Sequence, residues 1–98
     1  MMPSTLDPMP DTRNDLDASR RRALYRAEHR GTKELDWLLG RFARAELGGM
    51  DDSELDAFED FLALPDPDIQ HWLMTRDAAL PEGQAGSFVA RLKHFHDL

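Results

Sequence analysis

Along most of this 98-residue chain the apolar positions recur at the spacing of a helix, and no stretch sustains the two-residue alternation of a half-buried strand. Leu35, Leu38, Leu39 and Phe42 fall at i, i+3, i+4 and i+7, the pattern of one buried stripe, and predict a helix over residues 32–47 that Gly48-Gly49 closes. An earlier helix is expected to start at Asp15 or Asp17, to turn Leu24 and Ala27 inward, and to end or bend at His29-Arg30-Gly31. The best-defined start is at Asp51, an N-cap with Glu54 three positions on, and with Met50 and Leu55 placed as a hydrophobic staple. That third helix directs Leu55, Phe58, Phe61 and Leu62 inward and must end before Pro65, because the residue preceding proline avoids the α region. Asp66 then caps a fourth helix with Pro67 at its first position, and Ile69, Trp72 and Leu73 form its apolar side. Residues 81–86 read as a loop, and residues 87–96 as a last helix with Phe88, Val89, Leu92 and Phe95 on one face. The expected architecture is all-α, a small five-helix bundle in a single domain over residues 15–98, behind a disordered tail at residues 1–14.

Length and composition narrow the function. A chain this short buries only about 60–65% of the surface its unfolded form exposes, so its core is thin and leaves little room for an enclosed cofactor. Cysteine is absent, which removes disulfides, thiolate metal sites and cysteine nucleophiles. No apolar run approaches the roughly 20 residues of a membrane-spanning helix, so no membrane insertion is expected. The first residues combine Pro3, Pro8 and Pro10 with Asp7 and Asp11, unlike a secretory signal or an Arg-rich transit peptide, and predict a cytoplasmic protein.

The net charge of −7 is unevenly spread. Six cations, Arg20, Arg21, Arg22, Arg26, Arg30 and Lys33, face a single Glu28 between residues 20 and 33, whereas residues 51–68 hold eight carboxylates and no base. These are either two solvated helix faces or a basic face that steers toward an acidic partner. The overall acidity argues against nucleic acid.

Signatures of chemistry are missing. There is no phosphate-cradling glycine loop, no H-E-x-x-H and no G-x-S-x-G. His94 and His96 are two apart and do not share a helix face, and His29 and His71 stand alone, so no metal site is expected. No nucleophile–base pair can be assembled, and the chain is read as a non-enzyme with no catalytic residues and no cofactor-binding residues. Trp72 is placed in the core, and Trp37, which lies beside the apolar stripe, is left open.

One element has two readings. Arg30-Gly31-x-x-Glu34 sits where the first helix meets the second. On the structural reading Arg30 and Glu34 form an i, i+4 pair worth about 0.2–0.5 kcal/mol, in the weaker base-first order, and Gly31 is a junction. On the functional reading an Arg fork beside a side-chain-free position is a landing surface for another protein.

The run Arg30-Gly31-Thr32-Lys33-Glu34-Leu35-Asp36 resembles the RGxxE-LD signature of the SdhE family of succinate dehydrogenase FAD assembly factors. The likeness continues through Leu38-Leu39-Gly40-Arg41-Phe42, through Asp52, Glu54 and Phe58, and through Leu64-Pro65-Asp66-Pro67-Asp68 to Trp72-Leu73. His29 stands where a second Arg is common in the family, and Thr32 where Met is frequent. The resemblance implies a chaperone that binds the flavoprotein subunit of succinate dehydrogenase, or in some bacteria of fumarate reductase, and promotes covalent attachment of FAD to it. It implies a partner-binding set of Arg30 as polar anchor, Gly31 as the point of close approach, and Glu34 orienting Arg30 or accepting a bond from the partner. No cofactor would be held stably, and the free protein would be a monomer. The alternative is an antitoxin-like regulatory module with a different partner.

Overall fold

The computed structural model describes residues 12–98, with side chains from Leu16 onward; the expected tail therefore lies largely outside the described residues. Helix α1 spans Thr12–Glu28, α2 Lys33–Glu46, α3 Asp52–Leu62, α4 Asp66–Met74 and α5 Gly83–His96, with a single 3₁₀ turn at Leu47–Gly49. The expected five-helix, all-α architecture is the observed one, with no strand among the described residues.

Each helix has a local cause. Thr32 caps α2: its Oγ1 accepts the Leu35 N–H at 3.2 Å, which satisfies one of the free donors of the first turn. Asp51 caps α3 as expected, accepting the Glu54 N–H at 2.8 Å, and the stapling Met50 and Leu55 are both buried. Glu54 does not return the bond; its carboxylate accepts from Arg91 of α5 at 2.7 Å. The capping box is half made because a tertiary partner outcompetes the local one.

Four boundaries differ from expectation. Helix α1 begins at Thr12, ahead of Asp15 and Asp17, since no proline lies between Pro10 and the end of the helix at Glu28. Gly48 and Gly49 do not take the left-handed conformation; Leu47–Gly49 tightens into the 3₁₀ turn instead. Pro65, not Asp66, is the N-cap of α4, and Asp66 is its first helical residue. Helix α5 starts at Gly83, so most of the expected loop is helical; Gly83 enters with φ +73°, which glycine adopts without strain. At Gly86 the chain passes so close to the Pro81 carbonyl that a Cβ would lie 2.1 Å from that oxygen.

The core is one continuous cluster fed by all five helices. Among its described residues helix α1 buries Ala23 and Ala27, one turn apart, with Leu16 and Leu24 packed half-buried beside them, and the two small side chains let it lie close against α2 and α3. At the centre Phe58 is fully buried, with ring centroids 5.3 Å from Phe88, 5.8 Å from Phe42 and 6.5 Å from Phe61. Trp72 is half-buried against this cluster, and Phe95 meets Phe42 edge-on while staying partly exposed.

The uneven charge is partly internal. Arg22 and Arg26 of α1 reach Glu59 of α3 at 3.2 and 3.8 Å, and Arg20 donates to the Met50 carbonyl at 2.8 Å. Much of the basic face thus holds α1 against α3.

Candidate functional site

Arg30 lies in the four-residue link between α1 and α2, before the Thr32 cap, so it is not in the helix that carries Glu34. The i, i+4 spacing has no meaning there, and the Arg30–Glu34 pair is not formed. The guanidinium turns instead to the α3–α4 turn. Its Nε and Nη2 donate to Asp66 Oδ1 at 2.9 and 2.6 Å, Nη1 to the Leu62 carbonyl at 2.6 Å, and Nη2 also to the Leu64 carbonyl at 3.2 Å. Leu62 is the last residue of α3, so a cation satisfies carbonyls at a helix C-terminus, where the backbone dipole favours it. The Arg30 side chain is 10% exposed and that of Asp66 27%. A planar fork that meets one carboxylate and two carbonyls is a geometry lysine cannot reproduce.

The second carboxylate oxygen of Asp66 accepts the Gly31 N–H at 2.7 Å. One aspartate therefore clasps both the side chain of Arg30 and the backbone of Gly31. Asp36 completes the link from the other side by accepting the Arg30 N–H. Arg30, expected as the polar anchor for a partner and oriented by Glu34, is turned inward: four of its five guanidinium N–H groups are taken by its own chain, and no ion pair joins it to Glu34. Gly31 is also explained differently. A Cβ there would stand 2.7 Å from Asp66 Oδ2, so the missing side chain makes room for an internal carboxylate.

The motif thus divides by direction. Arg30, Leu35 and Asp36 serve the fold, while Gly31, Lys33 and Glu34 are exposed, and among the described residues no ion pair engages Lys33 or Glu34. One turn beyond Glu34, Trp37 is 54% exposed and belongs to this outer face. Pattern reading missed the second role of Asp66, which it treated as a cap. The available signal was the Leu64-Pro65-Asp66 run together with an arginine lacking a helical partner. The histidines are dispersed: His29 contacts the Tyr25 carbonyl, His71 Thr75, and His96 the Leu38 carbonyl.

A methyl group at position 31 tests the clasp. Gly31→Ala must push Asp66 away from bonds it makes to Arg30 and to the residue-31 amide, and is expected to cost about 1–2 kcal/mol. Urea unfolding followed by circular dichroism reads this directly; a midpoint equal to wild type would mean that the carboxylate yields without loss. Gly31→Arg carries the same Cβ, so it is expected to lower stability as well as to obstruct the exposed face.

Residues 21–96 match the family model described as flavinator of succinate dehydrogenase. The chain is 42% identical over 79 residues to the FAD assembly factor SdhE of Acetobacter pasteurianus, covering 81% of this chain and 72% of that protein. It is 39% identical over 67 residues to succinate dehydrogenase assembly factor 2, mitochondrial, of Debaryomyces hansenii, covering 68% of this chain and 47% of that protein. The protein of that name from Mycosarcoma maydis is 42% identical over 77 residues, covering 79% of this chain and 32% of its own length. The chain thus spans about half or less of these two mitochondrial relatives. No solved structure matches. The antitoxin-like alternative finds no support among these relatives.

Proposed function

Because the chain belongs to the family of succinate dehydrogenase flavinators, we propose that it is an assembly factor that binds the flavoprotein subunit of succinate dehydrogenase and promotes covalent attachment of FAD to it, contributing no catalytic group of its own. The observation that carries the reading is the family match, which runs through the whole α1–α2 link and the α3–α4 turn that clasps it. The exposed side of that link supports it: Gly31, Lys33 and Glu34 are presented on a backbone already held in place by Asp66 and Asp36. In this reading Arg30 acts from within, as the residue that sets the shape of the face, and Glu34 accepts a bond from the partner.

A binder accelerates a step in its partner only by favouring one arrangement of it. The limit on the effect is the difference in affinity for the two arrangements, and the gain is one of orientation between the reacting groups. No helix of the described residues is long and apolar enough to cross a membrane, and the docking face here is a polar and aromatic surface. A fumarate reductase flavoprotein would be a second client for the same face.

The reading is tested by incubating the purified apo-flavoprotein with FAD, with and without this chain, and measuring flavin fluorescence retained on a denaturing gel. Most of the covalent flavin is expected to depend on the added chain. Equal labelling in its absence would remove the proposal.

A further inference from the structure

Beside Glu34 the surface carries an apolar hollow that the fold does not fill. It has a volume of about 310 Å³ and is lined by Lys33, Glu34, Trp37, Leu38, Met74 and Leu98. Single exposed apolar residues are ordinary, but here Trp37, Met74 and Leu98, each more than half exposed, converge on one place.

The hollow is preset. The Trp37 ring is braced by the Arg41 guanidinium 5.1 Å from its centroid and by the tilted His96 ring at 5.2 Å. His96 is itself held by Nε2 donating to the Leu38 carbonyl at 2.8 Å. Leu98 is positioned by the closure of α5: Asp97 takes the left-handed conformation, its N–H reaches the His94 carbonyl at 3.2 Å, and the Leu98 N–H reaches the Lys93 carbonyl at 2.8 Å. An exposed aromatic whose orientation is already fixed loses little freedom on being covered, which is what a contact anchor requires.

We propose that this hollow is the apolar anchor point of the docking face, and that it receives one large apolar side chain protruding from the flavoprotein subunit, with a basic group beside it that pairs with Glu34. The inference rests on the reading above, which supplies the partner. Continuity supplies the rest: Lys33 and Glu34 line the hollow and also form the exposed first turn of α2 next to Gly31, so a protein seated on Gly31 and Glu34 covers Trp37 one turn away. The charge follows from Glu34, which like Lys33 has no ion-pair partner among the described residues and stands at the rim of the apolar hollow. A second copy of the chain fits less well, because a two-fold axis through the hollow would set hollow against hollow and fill neither.

The test titrates the purified flavoprotein subunit with wild type, Trp37→Ala, Trp37→Phe and Glu34→Gln by calorimetry, after thermal melts of each variant. Trp37 and Glu34 are exposed, so all four proteins are expected to melt alike. Trp37→Ala is expected to bind at least about tenfold more weakly, Trp37→Phe to recover most of the affinity, and Glu34→Gln to bind more weakly with a shallower dependence on salt. Binding by wild type that Trp37→Ala leaves unchanged would overturn the anchor while the assembly-factor reading stands. No binding by wild type would overturn both. A wild-type dimer in sedimentation that Trp37→Ala dissociates would give the hollow to a second copy, and so overturn the assignment to the flavoprotein.

Discussion

Arg30→Ala is expected to lower the stability of the free protein by about 3 kcal/mol, on the order of 15 °C in Tm for a domain of this size. The change removes four hydrogen bonds from one side chain and leaves Asp66 Oδ1 and the Leu62 and Leu64 carbonyls without this donor, while Asp66 Oδ2 keeps the Gly31 N–H. Breaking a half-buried pair by deleting one member costs more than the pair contributes, because the remaining charge loses its partner without being freely hydrated. Asp66 keeps some access to water, which holds the loss toward the lower end of the usual range. Arg30→Lys is expected to recover less than half of it, since an ammonium offers no fork. A double-mutant cycle with Asp66→Ala in thermal melts measures the coupling; additive losses would show that the two side chains act independently. A loss of flavin attachment in an Arg30 variant should therefore be interpreted only beside its melting curve.

Phe58→Ala is expected to be more damaging, at about 4 kcal/mol. Phe58 has no exposed surface and lies against Phe42, Phe61 and Phe88, which come from α2, α3 and α5. Truncation would leave a void lined by three rings attached to different helices, so no single side-chain rotation can close it. Against a total stability of about 5–15 kcal/mol for a single domain, this removes a large share. Chemical unfolding gives the value. A loss under about 1.5 kcal/mol would mean that the helices collapse onto the space, and that the core is less tightly determined than its aromatic packing suggests.

The helices were legible because their cause is local. A stripe such as Leu35, Leu38, Leu39 and Phe42 declares both its period and its buried face, and all four are buried. The Asp51 cap and the Met50–Leu55 staple were readable for the same reason. Errors came where a side chain answers to something distant in the chain. Glu54 has the right spacing for a capping box but is taken by Arg91, 37 positions away. Asp66 looks like a cap, yet its carboxylate is bonded to Arg30 and Gly31, 36 and 35 positions earlier. The site suffered most from this. The place of Arg30-Gly31 at the α1–α2 junction was readable, but Arg30 and Glu34 were still weighed as a pair on helical spacing, and only the fold shows that Arg30 turns to Asp66 instead. Trp37 could not be placed from its pattern because a residue beside a stripe is half-buried or exposed according to what packs next to it. Its neighbours Met74 and Leu98 come from remote parts of the chain.

The double grip of Asp66 has a thermodynamic consequence for any encounter at this surface. A link without such a grip would have to settle into shape as its partner arrives, and that loss of freedom would weaken the complex. Here the settling is completed during folding of the chain itself, so a partner docking at the link would meet a preformed surface. The heat-capacity change on this side of the complex should then correspond to the area covered and to nothing more.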